Sequence, residues 1–198
     1  HVGSDNGGFV YATKVEPTFL VINGGVPTGA SNVDVSAVDG YNIGVKLYPT
    51  GTFGGNYCTY TVPPENSNVL GAGLYSSTAV LAQVPLNTNL QTMCQNSSQL
   101  PPSSTATRWI LSVVNGSFAG CMSPCTYAKK TYGATSQQAN QFCCTGSYST
   151  PATCDVSANQ VGANTSTYTL NVYSTFQNIY PFAYGDAGSD YACPADSS

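Results

Sequence analysis

Two cysteines stand next to each other at Cys143 and Cys144, and a third, Cys154, follows across a loop that contains Gly146 and Pro151. Neighbouring cysteines rarely bond to each other, because disulfide geometry strains the peptide between them. Each of the two is therefore expected to reach a different partner, so that the region forms a group of crosslinks. Such crosslinks persist in oxidising compartments, which predicts a secreted protein.

All eight cysteines are predicted to form disulfides. A zinc site is the alternative, but the chain has no Cys-x-x-Cys pair and its single histidine is His1. An N-terminal histidine can bind copper through its amine and ring, yet a copper brace needs a second histidine. A mature or engineered N-terminus explains His1 more simply. We therefore expect neither a metal nor a cofactor.

The composition excludes several classes of protein. Only 7% of the residues are charged and the net charge is −4, so the chain offers no basic face to nucleic acid or anionic lipid. No apolar run approaches the roughly 18 residues of a membrane-spanning helix, which argues against membrane insertion. With 41% hydrophobic residues, the 198-residue chain has enough apolar side chains for a core, and its length fits one domain.

Three Asn-x-Ser/Thr triplets, at Asn96, Asn115 and Asn164, are candidate glycosylation sites. Together with the cysteines they favour passage through an oxidising secretory pathway and an extracellular location, with association with a cell wall as the more specific alternative.

Strand patterns dominate the chain, which predicts a mainly β fold. Apolar and polar residues alternate with a period of two at residues 43–47, 58–62 and 168–172, while residues 19–22, 79–84 and 109–114 are apolar runs of strand length. Residues 123–142 instead favour short helical turns limited by Gly133. The residues between Cys94 and Arg108 indicate a polar loop.

Four segments resemble the thaumatin-like protein family. They are the Cys-Cys-x-Gly-x-x-x-Thr-Pro-x-x-Cys segment at 143–154, the Asp-Val-Ser-Ala-Val-Asp-Gly-Tyr-Asn segment at 34–42, and segments 109–125 and 180–194. The resemblance implies a thaumatin-like β-sandwich in a single domain over residues 1–198. It also implies a small disulfide-rich lobe at approximately residues 94–160.

The resemblance also implies a pairing for the eight cysteines. The expected bonds are Cys58–Cys193, Cys94–Cys121, Cys125–Cys143 and Cys144–Cys154. Family members carry a long β-rich region before the Asp-Val-Ser segment, whereas about 32 residues precede it here. A shortened variant is therefore expected, in which residues 63–93 and 155–170 are longer than usual and supply replacement strands.

The family's activity, where present, is binding or slow hydrolysis of β-1,3-glucans in an acidic cleft. Hydrolysis needs two carboxyl groups, one that donates a proton and one that activates water or attacks. The resemblance maps the acidic positions to Asp34, Asp39 and Asp186. Thr18 stands where the family has glutamate, and Glu16 lies two residues away on the same strand face. The cleft arginine has no counterpart here.

Each acidic position also has a purely structural interpretation. Asp39 precedes Gly40 and favours a turn, and Asp34 and Asp186 can serve local structure in the same way.

Aromatic rings near these acids can stack on sugar rings. Tyr41, Tyr48 and Tyr184, together with Tyr180, are the candidates for substrate binding, although buried tyrosines more often belong to a core. A single histidine excludes Ser-His-Asp catalysis, and no phosphate-binding Gly-rich motif occurs.

Three functions remain from different classes. The first is a secreted binder of β-glucan or of another cell-wall or extracellular surface. The second is a weak endo-β-1,3-glucanase that uses the acidic cleft. The third is a structural subunit that assembles through an exposed sheet edge. An intact acidic cleft favours the enzyme, and concentration-dependent assembly favours the subunit.

Overall fold

The computed structural model describes residues 12–18, 21–23, 26–28, 30–47, 59–60, 73–74, 82–84, 89–96, 110–112, 118–156, 160–185 and 189–194. The strands are β1 Lys14–Thr18, β2 Val21–Asn23, β3 Val26–Thr28, β4 Ala30–Ser36, β5 Gly40–Tyr41, β6 Val45–Leu47, β7 Thr59–Tyr60, β8 Gly73–Leu74, β9 Ala82–Val84, β10 Ile110–Ser112, β11 Phe118–Met122 and β12 Asp190–Pro194. The α-helices are α1 Leu90–Asn96, α2 Pro124–Tyr132, α3 Gln137–Cys143, α4 Pro151–Cys154 and α5 Thr167–Thr175, with a 3-10 turn at Gly146–Tyr148.

Strand β4 lies at the centre of a three-stranded antiparallel sheet, between β1 and β12. Successive residues of a strand point to opposite faces. One face of this sheet carries Val33 and Val35, of which Val35 is fully buried in the core. The opposite face carries Asp34, and on β1 it carries Lys14 and Glu16. The sheet therefore has one apolar face on the core and one polar face.

A second three-stranded sheet has the order β10–β11–β5, and three further antiparallel pairs join β2 to β3, β6 to β9 and β7 to β8. Four of these strands lie inside runs with the predicted strand patterns, namely β6, β7, β9 and β10, and β2 overlaps the run at residues 19–22. Asn23 of β2 is the register partner of Val26 of β3.

The hydrophobic core joins the strands to the helices. Tyr41 of β5 stacks on Tyr168 of α5 with ring centroids 5.8 Å apart, and its edge meets Phe176 at 5.0 Å. Offset and edge-to-face aromatic pairs add to the stabilisation that burial alone gives. The other members of this cluster are Val35, Ala37, Ala82, Val84, Leu90, Cys94, Cys121, Ala128, Ala139, Phe142, Val172 and Ile179.

Helices α2 and α3 occupy the segment that was predicted to form short helical turns. Ser123 and Ser136 cap their N-termini, and each hydroxyl accepts a 3.1 Å hydrogen bond from the backbone N–H three residues later. Gly133 follows the end of α2 with a φ of 95°, a backbone conformation that favours glycine. The prediction for this segment is confirmed.

The strand predicted at residues 168–172 is wrong, because this segment is helix α5. A strand would bury Tyr168, Leu170 and Val172 together. In the structure Tyr168, Thr169 and Val172 are buried while Leu170 is 53% exposed, which is the pattern of a helix face. Ser166 starts the helix, because its hydroxyl accepts a 3.1 Å hydrogen bond from the Thr169 N–H. Residues four apart, such as Tyr168 and Val172, share a face in a helix and also in a strand, so their spacing alone does not distinguish the two.

Helix α1 was not predicted, and its last two residues, Gln95 and Asn96, are the first two of the expected polar loop. The rest of that loop, after Asn96, lies outside the described residues.

Strand β1 pairs with β4 on one side only, within the part of the chain that the structure describes. Its Pro17 has no backbone N–H to offer to another strand, and Lys14 and Glu16 place charge on it. Proline and charge are features that discourage edge-to-edge pairing. Self-assembly through a sheet edge stays a prediction, and this edge does not favour it.

Candidate functional site: the polar face of the central sheet

Asp34 occupies the middle of the central sheet. Its register partner on β1 is Glu16, and its register partner on β12 is Asp190. Three acidic residues therefore hold one register row across three neighbouring strands. Residues directly opposite each other in an antiparallel pair have Cβ atoms about 5 Å apart, so Glu16 and Asp34 are close enough to act on one ligand. Glu16 is exposed and Asp34 is half-buried.

Asp39 lies in the turn that follows β4. The Gly40 N–H donates a 3.1 Å hydrogen bond to the Ala37 carbonyl oxygen, and Gly40 has a φ of 139°, where glycine is favoured. The Asp39-Gly40 order predicts this turn. The Asp39 carboxylate accepts a hydrogen bond from the Lys14 ammonium group, and these two side chains form an ion pair.

Hydrogen bonds from distant elements fix the backbone of this turn. The Asp39 carbonyl oxygen accepts from the Ser123 N–H at 3.2 Å and from the Thr126 hydroxyl at 2.8 Å, both at the start of α2. The Ala37 carbonyl oxygen accepts from the Tyr168 hydroxyl at 2.6 Å. Buried polar groups that are paired in this way specify a single arrangement. The disulfide-rich segment thus positions Asp39.

The Tyr168 phenol has a pKa that departs clearly from the usual tyrosine value. Burial raises the pKa well above the ordinary tyrosine range, and the nearby Tyr41 and Asp39 raise it further. The hydroxyl therefore remains a neutral donor, as its bond to the Ala37 carbonyl requires.

The candidate sugar-binding tyrosines lie in different surroundings. Tyr41 is 1% exposed, and both of its ring contacts are to core aromatics, so it belongs to the core instead of a sugar-stacking surface. Tyr180 forms a parallel β-bridge with Ser36, and its hydroxyl donates a 2.6 Å hydrogen bond to the Ala183 carbonyl oxygen. The hydroxyl of Tyr184 donates to the Ser149 carbonyl oxygen. Tyr48 lies outside the described residues.

Asp186 also lies outside the described residues, although Gly185, the residue before it, closes a turn onto Phe182. Of the three predicted acidic positions, the structure thus describes Asp34 and Asp39, both at the polar face of the sheet and its end. Neither Lys14, which pairs with Asp39, nor Asp190, the register partner of Asp34, was recognised from the sequence. Only strand register brings them to Asp34 and Asp39, and no local motif carries that information.

The structure joins Cys94 to Cys121, Cys125 to Cys143 and Cys144 to Cys154, the pairs that the resemblance implies. Their Cα–Cα distances are 5.6, 4.7 and 5.2 Å. The fourth expected bond, Cys58–Cys193, falls outside the described side chains. Strand β7, which directly follows Cys58, contacts β12, which contains Cys193.

One of the three candidate glycosylation sites has a described side chain. The Asn164 amide oxygen accepts from the Val156 N–H at 3.2 Å, and its nitrogen donates to the Val156 carbonyl oxygen at 3.0 Å. Asn164 therefore holds two loop segments together. The side chains of Asn96 and Asn115 lie outside the described part of the chain.

Among the described residues, no cluster of three or more histidine, cysteine or acidic side chains has the arrangement of a metal site. No described helix has the length and apolar character needed to cross a membrane.

Comparison with known proteins gives two matches. Residues 9–198 match the sequence model of the Thaumatin family. Over 186 residues the chain is 29% identical to thaumatin-like protein 1 of Pyrus pyrifolia, in an alignment that covers 92% of this chain and 50% of the relative. The chain thus spans about half the length of the curated relative that it matches. The Thaumatin family match implies the mainly β fold expected from the sequence, and disulfide-bonded members are typically extracellular.

Proposed function

The chain belongs to the thaumatin family, and from that premise we propose that it binds β-glucan or a related polysaccharide of a cell wall or extracellular surface. The ligand would lie on the polar face of the β1–β4–β12 sheet. We further propose that the chain is secreted and folds as one domain, a β-sandwich with the disulfide-rich lobe beside it.

The observation that supports this proposal most directly is the grouping of carboxylates. Glu16 and Asp34 are register partners, and Asp39 stands at the end of the same central strand. Carboxylates accept hydrogen bonds from sugar hydroxyls, and a charged acceptor forms a bond roughly twice as strong as a neutral one. Rigid strands and a hydrogen-bonded turn hold these acceptors in fixed positions, which lowers the entropic cost of binding.

The binding proposal is tested by incubating the non-reduced, glycosylated protein with insoluble β-1,3-glucan and measuring how much protein leaves solution. We expect the wild type to be depleted and Asp34→Asn to be depleted much less. Asp155→Asn is the matched control, because it makes the same change at an exposed residue at the end of α4. Equal depletion of wild type and Asp34→Asn would contradict the proposal.

Weak endo-β-1,3-glucan hydrolysis is the second candidate, and the closeness of Glu16 and Asp34 favours it. Hydrolysis needs two carboxyl groups at the scissile bond, and register partners on neighbouring strands can supply them. We propose that Asp34 and Glu16 are the reacting pair in that case, with Asp39 and Asp186 as the further acidic groups of the cleft. The same incubation, assayed for reducing ends, separates the two functions. Release that disappears in both Glu16→Gln and Asp34→Asn identifies an enzyme, and depletion without release identifies a binder.

A further inference from the structure

Lys14 brings a positive charge into the otherwise acidic polar face. It stands on β1 opposite Ser36, and the next residue of the same strand face is Glu16, opposite Asp34. Its ammonium group pairs with the Asp39 carboxylate, 25 residues away in sequence. The other lysines with described positions are on β6 and α2, at Lys46, Lys129 and Lys130.

The ion pair is partly shielded from water, because the side chains of both partners are 30% exposed. Charge pairs at a protein surface are weakened by solvent and salt, and partial burial reduces that screening. Backbone hydrogen bonds from α2 and α5 already fix the turn that carries Asp39. The Asp39 side chain is held in addition by its contact with the Lys14 ammonium group.

We propose that Lys14 is a positioning residue of the polysaccharide site, an inference that rests on the proposed function. By holding the Asp39 carboxylate beside the Glu16–Asp34 row, it presents three acceptor groups in a fixed array. It also offsets one of their negative charges, which lowers the mutual repulsion of the carboxylates.

The net negative charge of this face is expected to distinguish acidic polysaccharides from uncharged ones. A face that carries more carboxylates than cations, on a chain of net charge −4, repels an acidic polysaccharide such as a polyuronate. An uncharged polysaccharide offers hydroxyl donors without that repulsion. The proposed site is therefore expected to exclude acidic polysaccharides.

The first measurement compares Lys14→Gln with wild type by titration calorimetry against a soluble β-1,3-glucan. We expect the Kd to rise about tenfold, the factor that corresponds to 1.4 kcal/mol. Lys130→Gln is the matched control, because it removes the same charge from an exposed position on α2 and leaves the Kd unchanged. A polyuronate of similar length is expected to bind neither the wild type nor the control.

The second measurement separates positioning from a purely structural role. The charge-swapped variant Lys14→Asp/Asp39→Lys restores an ion pair between the same two positions but moves the carboxylate to the other strand. A positioning role predicts that the swap recovers the thermal midpoint lost in Lys14→Gln while the Kd stays raised. Recovery of both quantities would overturn the inference.

Two failures remain distinguishable. If the wild type binds no glucan, the proposed function fails, and the inference fails with it. If the wild type binds and Lys14→Gln binds equally well at a temperature where both are folded, the proposed function stands and the role of Lys14 is refuted.

Discussion

The Tyr168 hydroxyl donates a 2.6 Å hydrogen bond to the carbonyl oxygen of Ala37, although 131 residues separate the two in sequence. Ala37 begins the turn that carries Asp39, and Tyr168 lies on α5, inside the hydrophobic core. One buried phenol thus connects a C-terminal helix to an acidic residue of the candidate site. Packing and site geometry depend on the same side chain.

Replacing Tyr168 by Phe is expected to lower the free energy of unfolding by about 1 kcal/mol, the usual net value of one hydrogen bond. The Ala37 carbonyl still accepts from the Gly40 N–H, which limits the loss. For a chain of this size the thermal midpoint should fall by about 2–4 °C. Calorimetry of the non-reduced protein checks this value, and Tyr132→Phe, at a 42% exposed tyrosine, is the control. No difference between the two variants would refute the role of the buried bond.

The raised pKa of Tyr168 predicts a loss of stability in alkaline solution. An unfolded tyrosine ionises near pH ~10, whereas the folded phenol keeps its proton to higher pH. Below the pKa of the unfolded state both states hold the proton, so the contribution of Tyr168 to the free energy of unfolding does not change with pH. Above it only the unfolded state loses the proton, so stability falls by about 1.4 kcal/mol per pH unit until the folded pKa is reached.

Urea unfolding of wild type and Tyr168→Phe between neutral pH and pH ~11 measures this contribution. The stability advantage of the wild type should shrink as the pH rises above ~10. An advantage that grows over this range would have the wrong sign and would contradict the assignment.

The three described disulfides should differ in what their removal costs. They close loops with sequence separations of 27 for Cys94–Cys121, 18 for Cys125–Cys143 and 10 for Cys144–Cys154. Loop-closure entropy predicts that the longest loop contributes most, with roughly 1 kcal/mol between the longest and the shortest. Paired Cys→Ala variants of each bond, unfolded in urea without reductant, measure the order. The reverse order would show that packing of the native side chains outweighs chain entropy.

Asn164→Ala is expected to lower the free energy of unfolding by about 1–3 kcal/mol, because it leaves both the N–H and the carbonyl oxygen of Val156 without the amide that pairs them. Asn164→Asp is the matched variant, since it can still accept from the Val156 N–H. We expect it to retain part of the stability. Equal losses in the two variants would contradict the importance of the Val156 N–H bond.

The fold could be predicted from the sequence where one periodicity or one cap was unambiguous. The alternation at residues 43–47 predicts β6, and Gly133 marks the end of α2. The segment around Tyr168 was ambiguous, because Tyr168 and Val172 share a face in a helix and also in a strand. Burial of the polar Thr169 distinguishes the helix from the strand, and burial depends on the tertiary structure.

The candidate site, like the fold, could be predicted from the sequence only in part. Asp34 and Asp39 could be proposed from a short motif, whereas the roles of Lys14 and Asp190 could not. Strand register decides which residues of β1, β4 and β12 face each other, and a shift of one residue would move Lys14 and Glu16 to the opposite face. Register depends on pairing between strands that are far apart in the sequence, so no local pattern reveals it.

The Cys144–Cys154 bond also affects how the protein withstands proteases. The residues between these cysteines, 145–153, are exposed almost throughout and form an accessible segment at the surface. A protease that cuts there opens the backbone, but the disulfide keeps the two fragments attached to each other. The nicked molecule keeps both halves of its chain, and the cut becomes visible as two separate pieces only after reduction.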